Sequence, residues 1–146
     1  MIEKERAFVI VVDDDDIHLN MVSFMLKRMG IAIVESFSNA EDALARAMEK
    51  RPDLIVSDWN MEPMDGLQFL KMVRQHPPTN SVPFIMATAN ITECHWRQAI
   101  EAGVTEFLFK PLNFATLREA VLDTLSNAPS VNRDRIPKIL ARNLRR

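Results

Sequence analysis

The chain has 146 residues, 47% of them hydrophobic and 26% charged, which is about the size of one globular domain with a proper core and a squeeze for two. With 3 Gly and 8 Pro it lacks the bias of disordered, collagenous or low-complexity chains, and its single cysteine, Cys94, excludes an internal disulfide or a Cys-rich zinc site. The net charge of -2 hides an asymmetry: residues 1–128 carry 12 basic against 19 acidic side chains (-7), whereas 129–146 carry six basic ones against Asp134 (+5).

The longest apolar run, Ala7 to Val12, holds the first predicted strand, Phe8 to Val12. It falls far short of the roughly 18 residues of a membrane-spanning helix, and the charged Glu3, Lys4, Glu5 and Arg6 ahead of it are not an export signal. A cytoplasmic protein is expected, and the lone cysteine suits a reducing compartment. Met21, Met25, Leu26 and Met29 space as one face of a first helix that ends at Gly30. A strand over 32–36 follows. A second helix, capped by Ser38 or Asn39, carries Ala40, Ala43, Leu44, Ala47 and Met48 and stops before Pro52.

A third strand over Leu54 to Ser57 leads to a helix from about Asp65 to Arg74, with Leu67, Leu70 and Val73 inward. Strand four is Phe84 to Thr88, and helix four runs from a Thr92 cap to Gly103. Strand five, Glu106 to Phe109, precedes a fifth helix that starts from Asn113 and presents Leu117, Val121, Leu122 and Leu125. The three most apolar strands read as buried on both faces, and the nine methionines as core fillers. Five strand–helix repeats predict an α/β domain: a parallel sheet with right-handed crossovers and helices on both faces. Residues 1–128 form this domain. The basic tail, 129–146, has Ile136, Ile139, Leu140 and Leu144 at the spacing of a short amphipathic helix.

In open parallel sheets, ligands bind beyond the carboxyl ends of the strands. Strand one ends in Asp13, Asp14, Asp15 and Asp16, strand three in Asp58, strand four in Thr88, and strand five in Lys110 and Pro111. Singly, each has an ordinary structural reading: helix start, turn former, strand end, surface lysine. Jointly, at the ends of four strands, they point to a site. If strands one and three are neighbours, Asp13, Asp14 and Asp58 converge, and three carboxylates in one pocket repel unless a cation or proton intervenes. All-oxygen ligands with no His or Cys favour a hard divalent ion, Mg²⁺ over Ca²⁺ where water and phosphate oxygens complete the shell. A metal beside a nucleophilic Asp58, with Lys110 and the Thr88 hydroxyl, suffices for phosphoryl transfer. His18, His76 and His95 share no metal spacing, and Trp59 stands beside the nucleophile while Trp96 reads as helix-four packing or a partner contact.

These residues carry a resemblance: VVDDD at 11–15, SDWNM at 57–61 with MDG at 64–66, TA at 88–89 and KP at 110–111. Over about residues 7–126 the chain resembles a bacterial response-regulator receiver domain of the single-domain, chemotaxis-regulator type. The resemblance implies a flavodoxin-like five-stranded parallel sheet of order 2-1-3-4-5 with five flanking helices; that chemotaxis regulator is itself a standard example of this order. It implies that Asp58 accepts a phosphoryl group from a histidine kinase or phosphotransfer protein, and that Asp13, Asp14, Asp58 and the backbone carbonyl of Asn60 hold Mg²⁺. Lys110 would pair with the phosphoryl group and Thr88 would hydrogen-bond it. Phe107 would take the aromatic switch position, and the Lys110–Pro111 bond would be cis.

Phosphorylation would then change the face of helix four, strand five and helix five, and with it the binding of an output protein or of a second copy. Such a protein is a signalling phospho-acceptor, with slow self-phosphorylation and autodephosphorylation only, rather than a metabolic enzyme. Two departures stand out: Glu62 occupies the place after Met61 where the family commonly has proline, and Phe107 replaces the frequent tyrosine. The rival readings are a non-phosphorylated pseudo-receiver adaptor and an aspartate-nucleophile phosphohydrolase. The second would use Asp13 and Asp15, but it needs a substrate-capping insertion for which the loops are short. The tail's charge suits the acidic body, an acidic partner, anionic lipid or nucleic acid; without an aromatic residue it is not expected to be a dedicated nucleic-acid reader.

Overall fold

A computed structural model describes residues 3–89 and 92–126. The expected tail helix in 129–146 lies outside the described residues. The elements follow in strict alternation: β1 (Phe8–Val12), α1 (Asp16–Arg28), β2 (Ile33–Phe37), α2 (Ala40–Glu49), β3 (Leu54–Asp58), α3 (Gly66–Gln75), β4 (Phe84–Thr88), α4 (Glu93–Ala102), β5 (Glu106–Phe109) and α5 (Phe114–Ser126). All four strand pairings are parallel, and the order is β2-β1-β3-β4-β5. The predicted class and order therefore hold. No helix among the described residues is long and apolar enough to cross a membrane.

The twofold alternation of side chains along each strand divides the core. Phe8, Ile10, Val12, Ile55, Phe84 and Met86 face α2, α3 and α4; Val9, Val11, Leu54, Val56, Ile85 and Ala87 face α1 and α5. The central strands β1, β3 and β4 are buried throughout, as their unbroken apolar sequences require, whereas edge strand β2 is half-exposed. Helix starts are made by short polar side chains: Asp15 accepts from the Ile17 and His18 amides, Asn39 from the Asp42 amide and Thr92 from the His95 amide. Asp65 and Gln68 close a reciprocal capping box at α3. α4 ends on Gly103, whose φ of 94° lies in the left-handed region.

Several readings of burial are corrected. On α1 the buried face is made by Leu19, Val22, Ser23 and Leu26, which share one stripe of the 3.6-residue period, while Met21 and Met25 lie on its flank and are only half-buried. Met48 lies on the outer side of α2, 42% exposed. Of the methionines, only Met29, Met61 and Met86 are core residues among those described. β2 begins one residue later than expected, at Ile33.

One glycine fixes the distance between α3 and the end of β3. A Cβ on Gly66 would stand 2.4 Å from the Asp58 carbonyl oxygen and 2.8 Å from the Trp59 Cα, and the Gly66 amide donates to the Trp59 carbonyl at 2.7 Å. Backbone on both sides cannot yield as a flexible side chain would. Gly66→Ala is therefore expected to lower stability by about 1–3 kcal/mol, read as a lower urea midpoint with an unchanged m-value.

Candidate functional site

Strand register builds the site. Val12 pairs with Ser57, Asp58 with Ala87, and Thr88 with Phe109, so Asp13, Asp58, Thr88 and Lys110 all arrive at one edge of the sheet. The Asp13 amide donates to the Phe37 carbonyl and the Lys110 amide to the Thr88 carbonyl, which extends the ladder one step and fixes where each side chain leaves the backbone. Asp13, Asp58 and Thr88 are buried, at 2%, 5% and 0% exposure, while Asp14 is exposed.

Carboxylate oxygens of Asp13, Asp14 and Asp58 lie within 4.8 Å of one another. Lys110 Nζ is 2.8 Å from Asp58 Oδ1 and 3.5 Å from Asp13 Oδ2. Asp13 is further held by the Asp15 amide on Oδ1, at 2.9 Å, and by His18 Nδ1 on Oδ2. These contacts divide the two buried acids. For Asp13, burial pulls the carboxyl upward, but the His18 and Asp15 hydrogen bonds and the Lys110 charge outweigh it and hold the group below its usual value. For Asp58 burial prevails: helped by the negative charge of Asp13, it raises the carboxyl against the Lys110 contact and the His18 charge.

The group of acids thus holds more negative charge than its own cations neutralise. Hard oxygen donors, one of them exposed to solvent, fit a small divalent cation that keeps part of its water shell. Asp13, Asp14 and Asp58 are the side chains that could hold it. Asn60 is exposed in the loop after β3.

Other expected features fall around this centre. Phe107 is buried in the same core as Trp59 and Trp96. Trp59 follows Asp58 directly, is 7% exposed, and packs its ring on His95 of α4 with centroids 5.6 Å apart. The Lys110–Pro111 bond is cis, and so is Glu62–Pro63, where Glu62 and Pro63 are both exposed. The residue that the sequence reading missed is His18. It shares no spacing with another histidine; its signal is its place three residues after the Asp15 cap, which turns the first turn of α1 back over the end of β1.

The receiver-domain family of response regulators matches residues 9–122. Among curated proteins, the transcriptional regulatory protein ZraR of Salmonella typhimurium is 33% identical over 119 residues, covering 82% of this chain and 26% of that protein. ZraR of Klebsiella oxytoca is 33% identical over 130 residues, covering 86% and 29%. The chain therefore spans about a quarter of the length of these relatives. Among solved structures, the chemotaxis protein CheY4 of Vibrio cholerae is similar with TM-score 0.77 and 34% identity, covering 82% of this chain and 98% of that one. The receiver domain of a sensor histidine kinase from Pseudomonas aeruginosa shares the fold, with TM-score 0.77 and 23% identity over 84% of this chain and 99% of that one; it is described with a magnesium ion coordinated in its active-site cleft.

The charge imbalance has a measurable consequence. Replacing Asp58 by Asn removes the buried charge whose ionisation the fold disfavours while nearly keeping the side chain's shape. In metal-free buffer at neutral pH, Asp58→Asn is expected to unfold at higher urea concentration than the wild type; an equal or lower midpoint would mean that Lys110 already compensates Asp58 in full.

Proposed function

The chain belongs to the response-regulator receiver family, and on that premise we propose that it is a phospho-acceptor switch in which Asp58 takes a phosphoryl group from a histidine kinase or phosphotransfer protein. The observation that carries the reading is the convergence of the Asp13, Asp14 and Asp58 oxygens beside Lys110. An Asp58 carboxylate oxygen attacks phosphorus in line, the bond from phosphorus to the donor imidazole breaks, and its electron pair stays on that nitrogen. The product is an acyl phosphate. Asp13, Asp14, Asp58 and the Asn60 carbonyl would hold Mg²⁺, which would supply charge neutralisation at the transferring oxygens.

The residues of the chain do the rest. Asp13 and Asp14 hold the cation, and Lys110 turns from the Asp58 carboxylate to the phosphoryl oxygens. The Thr88 hydroxyl, at the end of β4, donates to the same group and draws the loop after β4 inward. Phe107 lies in the core shared with Trp59, Trp96 and Ala99, so a shift at Thr88 is read as repacking against α4. Phe107 has no hydroxyl, so this signal travels by packing alone. The α4, β5 and α5 face is the surface whose binding of an output protein or a second copy changes. A cytoplasmic setting beside an ATP-using kinase belongs to the same reading.

Intact-mass spectrometry after incubation with acetyl phosphate tests it. Wild type with Mg²⁺ is expected to gain one phosphoryl mass, EDTA and Asp58→Ala each abolish the gain, and Lys110→Ala slows it by about 10²–10³-fold. No adduct in wild type would favour the unphosphorylated adaptor, and an adduct that survives Asp58→Ala would move the acceptor elsewhere.

A further inference from the structure

We propose that His18 is a positioning residue for the cation site, fixing the Asp13 carboxylate through its Nδ1–H; this rests on the receiver reading and adds to it a residue that the motif does not contain. A carboxylate as deeply buried as Asp13 needs donors on both oxygens. Oδ1 receives the Asp15 amide at 2.9 Å. Oδ2 has two neighbours, His18 Nδ1 and, at 3.5 Å, Lys110 Nζ. Lys110 is nearer to Asp58, at 2.8 Å, and in the proposed chemistry it leaves for the phosphoryl group. His18 is then the donor that stays on Oδ2.

The ring's own situation supports this. His18 is only 14% exposed in its side chain, and its Nε2 is buried without a hydrogen-bond partner among the described residues. Burying an unpartnered ring nitrogen is costly, so the contact with Asp13 is what retains the ring. A carboxylate accepts and does not donate, which assigns the hydrogen to Nδ1. The backbone delivers the ring to the same place: Asp15, two residues beyond Asp13, caps α1 by accepting from the Ile17 amide at 3.0 Å and the His18 amide at 3.5 Å. One cap thereby sets both the helix start and the direction of His18. Partners that fix a ligand carboxylate typically contribute 10–100-fold to metal affinity.

The test is a Mg²⁺ titration followed by Trp59 fluorescence on the full chain, for wild type, His18→Ala, His18→Leu and His18→Asn. Ala and Leu are expected to weaken Mg²⁺ binding roughly 10–100-fold, and Asn to restore most of it, because its side-chain amide can place an N–H near the position of Nδ1. The wild-type His18 Nδ1 resonance in ¹⁵N NMR should also shift on Mg²⁺ addition and lose that shift in Asp13→Asn. Wild-type affinity in all three variants, or loss in Asn equal to that in Leu, would overturn the role of His18 while leaving the receiver reading intact. A wild-type chain with no Mg²⁺ response would sink the receiver reading itself.

Discussion

The repulsion among three carboxylates governs the site end of this molecule. Parallel pairing of β1 with β3 brings Asp13 and Asp58 to adjacent strand ends, the chain turn after β1 adds Asp14, and no rearrangement within the sheet can separate them. Lys110, delivered by β5 across the intervening β4, reaches both Asp13 and Asp58. The two buried acids differ by position: the amide and the imidazole on Asp13 hold its carboxyl below the usual value, whereas burial raises that of Asp58 against the Lys110 contact.

The rest of the fold keeps this geometry tight. Gly66 admits the first turn of α3 against the Asp58 and Trp59 backbone, so the loop after β3 has little room to drift. On the same face, Arg74 of α3 donates from Nε and one terminal nitrogen to the Gly103 carbonyl at the end of α4, and from the other to the Val82 carbonyl before β4; burial lowers its guanidinium to about 10. Trp59 touches His95 on α4. The loop after β3, α3 and α4 are thus linked through packed side chains.

Most of the architecture was legible in the sequence because the signals were local and strong. FVIVV, LIVS and FIMAT are too apolar to face water on either side, and Asp15, Asn39, Asp65, Thr92 and Gly103 mark helix ends by their own chemistry. Juxtaposition of Asp13, Asp14 and Asp58 needed only the guess that strands one and three are neighbours. What was not legible depended on helix rotation and on backbone three-dimensionally close but distant in sequence. Met21 and Met25 share a spacing with Leu26, yet the stripe of α1 that is buried is Leu19, Val22, Ser23 and Leu26. His18 carries no motif; its meaning arises only when the first turn of α1 folds over Asp13. The cis bond at Glu62–Pro63, in a loop where the sequence departs from the family pattern, had no signal beyond the proline itself.

The three converging carboxylates are expected to form a pocket for one divalent cation. Calorimetric titration of Mg²⁺ into the metal-free chain at neutral pH, compared with Asp14→Asn, tests it most directly, because Asp14 is exposed and its replacement leaves the core untouched. Wild type is expected to bind one Mg²⁺ per chain, and Asp14→Asn to bind it weakly or not at all. Absence of binding to wild type, or equal binding to the variant, would contradict it.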